Sequence, residues 1–449
     1  MDLLIEVFNS IIVLEPDNET YYFDKANAFL IAGNQAEAIK IYEVMEKKFG
    51  QSPQLLQARQ RVVFEGKNAP GNAEVEALIK SDPNDITNYL YLSKMLVQKN
   101  NAIEAIALLL KAKEKLQSRY ELNLALADIY RAQKNKGLLF TELKEAFNDP
   151  AMPVEKKVKI VWGMLGSFND PDIKRTATEL AALIVASHPG DAKALSLYGD
   201  VFYRQGSLRE AQRQYSAALK LSDQIYPAWE QLMNILITLG DYKEAVKRGD
   251  EALSIYPNQA ILYYYQAFAQ HRDGANDAAI SNIRFALQLD ADNKQLQAMI
   301  LALQGEIFID QNKLSAADDA LAKAVILDPE NYMIINNYAY YLAIRNQDLN
   351  KAATMIAKAA VAVPEDRSVA HTYSVILFKQ AKYDQAKSWI EKALQNNSEP
   401  DPVYIEHLGD VLYQQGNKEQ ALIAWERSRS AGNTSEKLMK KINEKKYFK

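Results

Sequence analysis

The chain has 449 residues, of which 48% are apolar and 24% are charged, and its formal net charge is −4. That charge excludes a chain-wide basic field of the kind that binds nucleic acid. The absence of cysteine excludes disulfides, thiolate metal sites and cysteine nucleophiles, and no apolar run reaches the roughly 18 residues of a membrane span.

The first predicted element is a single amphipathic helix over residues 3–14, which runs into Leu14-Glu15-Pro16. No basic segment followed by an apolar run precedes it, so the sequence as given shows no signal peptide. The helix matches the second helix of a helix pair whose first helix is missing. We therefore interpret residues 1–18 as a partial repeat and expect further sequence upstream in the natural protein.

Helices are then predicted in pairs along almost the whole chain. Residues 192–225 show the unit most clearly, with Leu195, Tyr198 and Phe202 on the face of a first helix and Ala211 opening the face of a second. The predicted pairs lie at 19–52, 53–85, 86–119, 120–152, 153–190, 192–225, 226–259, 260–297, 298–331, 332–365, 366–400 and 401–435. A basic capping helix or tail is predicted over residues 436–449.

Small residues recur at a fixed spacing in the second helices. Ala211, Ala245 and Ala279 lie 34 residues apart. The spacing continues with little drift through Ala317, Ala352, Ala386 and Ala421. A period of this length indicates paired helices stacked into a solenoid, in which the small residues allow close packing of the helices.

Prolines confirm the register independently. Pro189, Pro257 and Pro329 each lie ten residues before a small residue of the next first helix. Pro16, Pro83 and Pro364 show the same offset. Proline ends one helix pair and, with a neighbouring Asp or Asn, starts the next.

Three segments depart from the pattern. Residues 53–85 have a weak turn around Lys67-Asn68-Ala69-Pro70-Gly71. Residues 153–190 lack a clean motif and carry Asn169-Asp170-Pro171 in their turn. Residues 291–301 hold about four residues more than the repeat length.

The divergent pair at 153–190 has two interpretations. It is either a hinge between an N-terminal array at 19–152 and a C-terminal array at 192–435, or a poorly matching part of one continuous superhelix.

The pattern resembles the tetratricopeptide repeat. Residues 192–225 match its motif with the set Leu195, Tyr198, Gly199, Phe202, Ala211, Tyr215 and Ala218. Residues 402–435 match it with the set Ile405, Leu408, Gly409, Leu412, Ala421 and Trp425. The resemblance implies an all-α fold, a right-handed superhelical solenoid of about 12 helix-turn-helix pairs.

A second likeness concerns the last repeats. Residues 336–342, 406–413 and 431–442 resemble tetratricopeptide proteins of bacterial envelopes, and the Tyr, Asn and Lys content is similar to versions from Bacteroidetes. The resemblance implies a periplasmic protein or an outer-membrane lipoprotein facing the periplasm, with any membrane tether in upstream sequence. The cytoplasm remains the alternative location.

No pattern for catalysis, metal or cofactor binding stands out. The four histidines, His188, His271, His371 and His407, show no metal-ligand spacing. Phosphate-binding glycine loops and a nucleophile elbow are absent from the sequence. We therefore predict a protein that is not an enzyme, with no cofactor and no metal.

The resemblance implies that first helices line a concave groove, through side chains one position after the small residue or three before it. With neighbouring turns, the predicted groove comprises Asp200, Tyr203, Arg204, Asn234, Tyr264, Phe268, Arg272, Glu306, Asn336, Tyr340, His371, Glu406, Asp410 and Tyr413. Asp128 and Arg131 occupy equivalent places further upstream. Tyr264, Phe268 and Tyr340 are the preferred groove aromatics, because such rings suit extended or helical peptides.

Two further expectations concern ligands. The basic clamp by which some tetratricopeptide domains hold the terminal carboxylate of chaperones is not matched here, since Lys94 and Arg272 are isolated. The basic C-terminal end, with Lys437, Lys440 and Lys441, is interpreted as a solvated cap.

The sequence thus predicts a non-catalytic scaffold that binds a protein or peptide partner through its groove, in the assembly or maintenance of an envelope complex. The alternative is a carbohydrate-binding or enzyme-associated module in which groove aromatics stack on sugar rings. The oligomeric state is left open.

Overall fold

The computed structural model describes residues 2–50, 52, 54–55, 58–59, 62, 71–116, 119–395 and 401–448. These residues form helices and turns, and no strand. The chain divides into two compact units, Met1–Glu210 (unit 1) and Ala211–Lys449 (unit 2). Each unit is an array of helix pairs joined by short turns, so the predicted all-α solenoid is confirmed. Its right-handed superhelical sense stays a prediction.

Unit 1 contains the partial repeat and the first helix pairs. Its helices are α1 Asp2–Leu14, α2 Glu19–Ile31, α3 Gln35–Phe49, α4 Asn72–Ser81, α5 Ile86–Gln98, α6 Ala102–Leu116, α7 Tyr120–Ala132, α8 Lys136–Asn148, α9 Val154–Met164, α10 Pro171–Ser187 and α11 Ala192–Arg204. A 3₁₀ turn, Leu165–Ser167, follows α9. The predicted weak turn at residues 67–70 lies outside the described residues.

Unit 2 contains the more regular repeats, and the unit boundary falls within α12. The remaining helices are α12 Leu208–Leu221, α13 Tyr226–Thr238, α14 Tyr242–Ile255, α15 Ala260–Arg272, α16 Asn276–Leu289, α17 Lys294–Asp310, α18 Leu314–Leu327, α19 Tyr332–Ile344, α20 Leu349–Ala362, α21 Arg367–Lys379, α22 Tyr383–Leu394, α23 Pro402–Gln414, α24 Lys418–Ser430 and α25 Glu436–Glu444.

The periodic alanines are the most buried positions of the second helices. Every member of the series is fully buried, with a relative exposure of 0%: Ala211, Ala245, Ala279, Ala317, Ala352, Ala386 and Ala421. A methyl group at these positions lets neighbouring helix axes approach closely, which a longer side chain would prevent. The spacing in the sequence is therefore a spacing of helix contacts.

In two of the pairs the alanine lies against the small residue of the preceding first helix. Ser374 of α21 donates a hydrogen bond from Oγ to the carbonyl oxygen of Ala386 in α22, at 2.7 Å. In the last pair, a Cβ at Gly409 of α23 would stand 3.1 Å from the carbonyl oxygen of Ala421 in α24. The two helices of these pairs thus approach closely at one point, because neither residue there carries a bulky side chain.

Two of the irregular segments have simple structural causes. The extra residues near 291–301 lengthen a helix, since α17 has 17 residues whereas α19 has 13. In the divergent pair, the carboxylate of Asp170 caps α10 by accepting hydrogen bonds from the backbone N–H groups of Asp172 and Ile173.

The divergent pair at 153–190 packs inside unit 1. Its Val161, Leu180 and Ile184 belong to the same buried core as Leu126 and Phe147 of the preceding pair. The hinge that the sequence suggests for this segment stays a prediction, and the two compact units meet further along the chain, between residues 210 and 211.

The close approach at Gly409 yields a test. The Gly409→Ala substitution would place a Cβ 2.5 Å from Cδ1 of Trp425, and we expect it to lower the free energy of unfolding by about 1–3 kcal/mol, the usual cost of overpacking. Urea denaturation followed by circular dichroism measures the change.

The matched control is Gly163→Ala in α9, where a Cβ meets nothing within 4 Å. There the better helix propensity of alanine should raise the free energy of unfolding by up to about 1 kcal/mol. Equal stability changes in the two variants would contradict the packing explanation.

Candidate functional site

First helices of successive pairs pack on one another at several places in unit 2, and we interpret them as its inner layer. α15 packs against α13 and α17, and α21 packs against α19 and α23, whereas the second helices of successive pairs do not pack on one another this closely. In a curved stack the elements on the inner side come closest together. Side chains beside the small residues of these helices therefore meet across helix boundaries.

Glu306 of α17 lies at the centre of this layer. Its carboxylate accepts hydrogen bonds from Nη2 of Arg272 in α15, at 3.3 Å, and from Nδ2 of Asn337 in α19, at 3.5 Å. Burial raises the pKa of Glu306, and the charge of Arg272 opposes that rise. One partly buried carboxylate thus connects three successive first helices through charge-assisted hydrogen bonds.

Aromatic rings surround this carboxylate. Tyr264 and Phe268 lie one turn apart on α15, with ring centroids 6.4 Å apart. The guanidinium of Arg272 lies 5.0 Å from the centroid of Phe268, in cation–π geometry. Burial, aided by the charge of Glu306, raises the pKa of both Tyr264 and Tyr341 to about 12. Both hydroxyls are therefore neutral at physiological pH and can donate hydrogen bonds.

A second cluster joins α19, α21 and α23. The ring of His371 stacks on Tyr404 with centroids 4.1 Å apart and planes 13° apart, and its centroid is 6.0 Å from that of Tyr340. His371 is buried, and burial lowers its pKa to about 4. The imidazole is therefore neutral at physiological pH and acts as a packed aromatic ring.

Asn336 adds polar character below this cluster. It is buried, and its Nδ2 donates to Oγ of Ser368 at 2.9 Å. Its Oδ1 is buried without a hydrogen-bond partner among the described residues. An unsatisfied acceptor of this kind costs about 1–3 kcal/mol.

The chain's own C-terminal helix covers the last part of the layer. Nζ of Lys441 in α25 lies 2.6 Å from Oε1 of Glu406 and 2.7 Å from the carboxylate of Asp410, both on α23. Burial raises the pKa of Asp410 to about 6, although Lys441 opposes the rise. The side chain of Lys441 is 2% exposed, so the expectation of a solvated basic end is wrong for this residue. Two buried carboxylates attract it from the solvent.

The other predicted groove residues lie apart from these clusters. Tyr413 stacks on Trp425, with centroids 5.7 Å apart, at the base of the C-terminal helix. Asn234 is half-buried on α13, one repeat before Tyr264. Asp200, Tyr203 and Arg204 lie on or at the end of α11 in unit 1.

Four residues of these clusters escaped the sequence prediction of the groove. Asn337 and Tyr341 lie one position away from the register used there, and Tyr404 lies two positions before it. Their four-residue separation on one helix face was the available signal for the first two. The role of Lys441 had no signal, because its partners are more than 30 residues away in the sequence.

The described residues contain neither a metal-binding cluster nor a membrane-spanning helix. No group of three or more His, Asp or Glu side chains among them is arranged to hold a metal ion. No helix in the same part of the chain is long and apolar enough to cross a bilayer.

The sequence model of the tetratricopeptide repeat matches residues 199–260. A TPR repeat-containing protein of Pseudomonas aeruginosa is 27% identical over 215 residues, which cover 46% of this chain and 35% of that protein. The chain therefore spans about a third of the length of this curated relative.

Solved structures with a similar trace include other helical repeat proteins. A tetratricopeptide repeat protein from Parabacteroides merdae has 18% identity and a TM-score of 0.44, covering 57% of this chain and 98% of its own. Yeast Tom70 has 16% identity and a TM-score of 0.45, covering 94% of each chain. The Cut9–Hcn1 complex of APC/C has 11% identity and a TM-score of 0.45, covering 98% of this chain and 92% of its own.

The buried histidine predicts a pH dependence. The folded-state pKa of His371, about 4, lies below the ordinary histidine pKa of 6.5. A depressed pKa contributes stability that is present above the unfolded pKa and is lost as pH falls through the folded pKa. Between pH 7 and pH 4 the protein should lose up to about 3 kcal/mol through this residue.

The variant His371→Phe keeps a ring on Tyr404 and removes the titration. As pH falls from 7 to 4, we expect the free energy of unfolding to decrease less in this variant than in the wild type. Urea denaturation at several pH values measures the difference, in which titrating groups other than the neighbouring His407 cancel. Parallel pH profiles for the two proteins would contradict the assignment.

Proposed function

Because the chain is a tetratricopeptide repeat protein, we propose that it is a scaffold that binds a protein or peptide partner through the inner layer of unit 2. The repeats themselves suggest a protein-interaction scaffold. Within this scaffold, we place the partner on the first helices α15, α17 and α19.

The observation that carries the proposal is the cluster around Glu306. Three successive helices bring together a carboxylate, the guanidinium of Arg272, and the rings of Tyr264 and Phe268. Aromatic and arginine side chains dominate protein-binding energetics, since they offer large contact area at little entropy cost. Packing on neighbouring helices holds these rings in place before any partner arrives, which reduces the ordering cost of binding.

The same contacts favour binding over catalysis. Glu306 is already bonded to two neighbours, and the ring of His371 is stacked against Tyr404. Neither group stands beside a nucleophile with which it forms a described hydrogen bond. Proteins built from this repeat are generally non-catalytic scaffolds.

We extend the proposal to a place in the cell. The likeness of residues 336–342 and 406–413 to envelope proteins supports a role in assembling or maintaining an envelope complex on the periplasmic side. The partner would then be recovered with the envelope and not with the cytosol.

A pull-down tests both statements. Tagged protein is incubated separately with envelope and cytosolic fractions, as wild type and as the double variant Tyr264→Ala with Tyr340→Ala. We expect a partner in the envelope fraction whose recovery falls about ten-fold or more in the double variant, because interface aromatics commonly contribute more than 1 kcal/mol each.

Controls separate lost binding from lost folding. Phe285→Ala removes an aromatic ring that is 54% exposed on the second helix α16, and it should leave recovery unchanged. Arg272→Gln alters a half-exposed side chain of the inner layer without removing a ring, and it should weaken recovery with the melting curve preserved. Equal recovery by all four proteins would remove the inner layer from the account.

A further inference from the structure

Unit 1 contains a cavity of about 840 Å³ between the pair α7–α8 and helix α9. This volume lies within the range of about 300–1,000 Å³ that is usual for small-molecule sites. Apolar side chains from four helices form its floor: Leu124, Leu139, Phe140, Leu143, Ile160 and Met164, with Ile173.

The cavity exists because α9 stands away from the helices before it. In the preceding repeat α5 packs closely on α7, and further on α9 packs closely on α11, but α9 does not approach α7 or α8 in this way. Lys157 of α9 connects this helix to α8, since its buried Nζ donates to the carbonyl oxygen of Phe147 at 2.7 Å. That carbonyl belongs to the last turn of α8, where a cation is favoured by the helix dipole.

Cations surround the opening of this cavity. Its lining includes Arg131, Lys134, Lys136, Lys156 and Lys159, against one carboxylate, Asp128. Such a concentration of positive charge contrasts with the net charge of −4 of the whole chain.

Part of this charge is not neutralised by the protein. Arg131 is paired with Asp128, and Lys136 with Asp170. Lys156 lies 5.1 Å from the ring centroid of Tyr120. Within the described residues, neither Lys134 nor Lys159 has an ion pair or side-chain hydrogen bond. Two amines of the lining thus remain available, one after α7 and one on α9.

We propose that this cavity binds a free long-chain carboxylate, with the acyl chain on the apolar floor and the carboxylate between Lys134 and Lys159. An acyl chain gains from burial in proportion to its area and has no polar group to satisfy. The carboxylate forms charge-assisted hydrogen bonds with lysine amines at the edge of the site.

An acidic peptide fits the charge of the rim but not the floor. The helices that form the floor satisfy their own backbone groups, and Ser167 is the sole neutral side chain of the lining that can form hydrogen bonds. An extended peptide would bury backbone N–H and C=O groups there without partners, at a cost of about 1–3 kcal/mol each. The inference is independent of the proposed partner-binding role of unit 2.

Calorimetric titration of the full chain with dodecanoate, below its micelle concentration, tests the inference. We expect one site per chain and affinity at least ten-fold higher than for 1-dodecanol or dodecyltrimethylammonium, which have the same chain length. The double variant Lys134→Gln with Lys159→Gln should lose about ten-fold in affinity for dodecanoate and little for the alcohol. Ten-fold corresponds to about 1.4 kcal/mol.

Gly163 offers a variant that places a side chain inside the cavity and keeps the fold. It lines the cavity on α9, and a Cβ built on it meets nothing within 4 Å. Gly163→Leu should therefore abolish dodecanoate binding with the melting temperature maintained. The matched control Gly137→Leu, on α8 and outside the lining, has only Oδ1 of Asn135 at 3.8 Å from its Cβ and should bind as the wild type does.

Three results would overturn the proposal. The first is dodecanoate binding that Gly163→Leu leaves intact. The second is equal affinity for the cationic amphiphile. The third is the absence of dodecanoate binding. Binding of an acidic leucine-rich peptide or of phosphatidylglycerol vesicles that is sensitive to Gly163→Leu would not rescue the proposal in that case.

Discussion

The structure depends on the close approach of a small residue in a first helix to an alanine in the second helix of the same pair. Ser374 with Ala386, and Gly409 with Ala421, show how close this approach is. A single larger side chain would separate the two helices, and each later repeat packs on the surface that the pair presents. Because a repeat array has only neighbour contacts, its stability is close to a sum of such local terms. The period therefore fixes both the fold and the positions left over for function.

Positions beside the contact face the next first helix and are free to vary without disturbing it. In unit 2 they hold Glu306 and its aromatic neighbours, and at the chain end they hold the carboxylates that receive Lys441. The two sites use the same geometry differently. Glu306 is partly buried beside the half-exposed Arg272, which suits a surface that accepts a partner. Glu406 is covered by α25, which closes the last repeat and protects the end of the core.

The sequence predicted the structure well wherever a residue's structural role is set by the length of the repeat. The buried alanines, the register set by proline, and the extra turn of α17 all follow from counting residues. The partners of Lys441 and the cavity beside α9 do not. The first arises from a contact between distant segments, and the second from helices that fail to approach, which leaves no periodic signal. The aromatic residues are an intermediate case. Tyr264 and Phe268 lie in the inner layer as the repeat register implies, but packing turns much of each ring toward its neighbours.

We propose that a partner contacts the inner layer of unit 2 and not its second helices. Site-specific photo-crosslinking tests this most directly, with benzoylphenylalanine at position 341 on α19 and, separately, at position 326 on α18, where Ile326 is 76% exposed. We expect a discrete crosslinked partner from position 341 and none from position 326. Crosslinking of the same partner from position 326 alone, or equally from both, would contradict it.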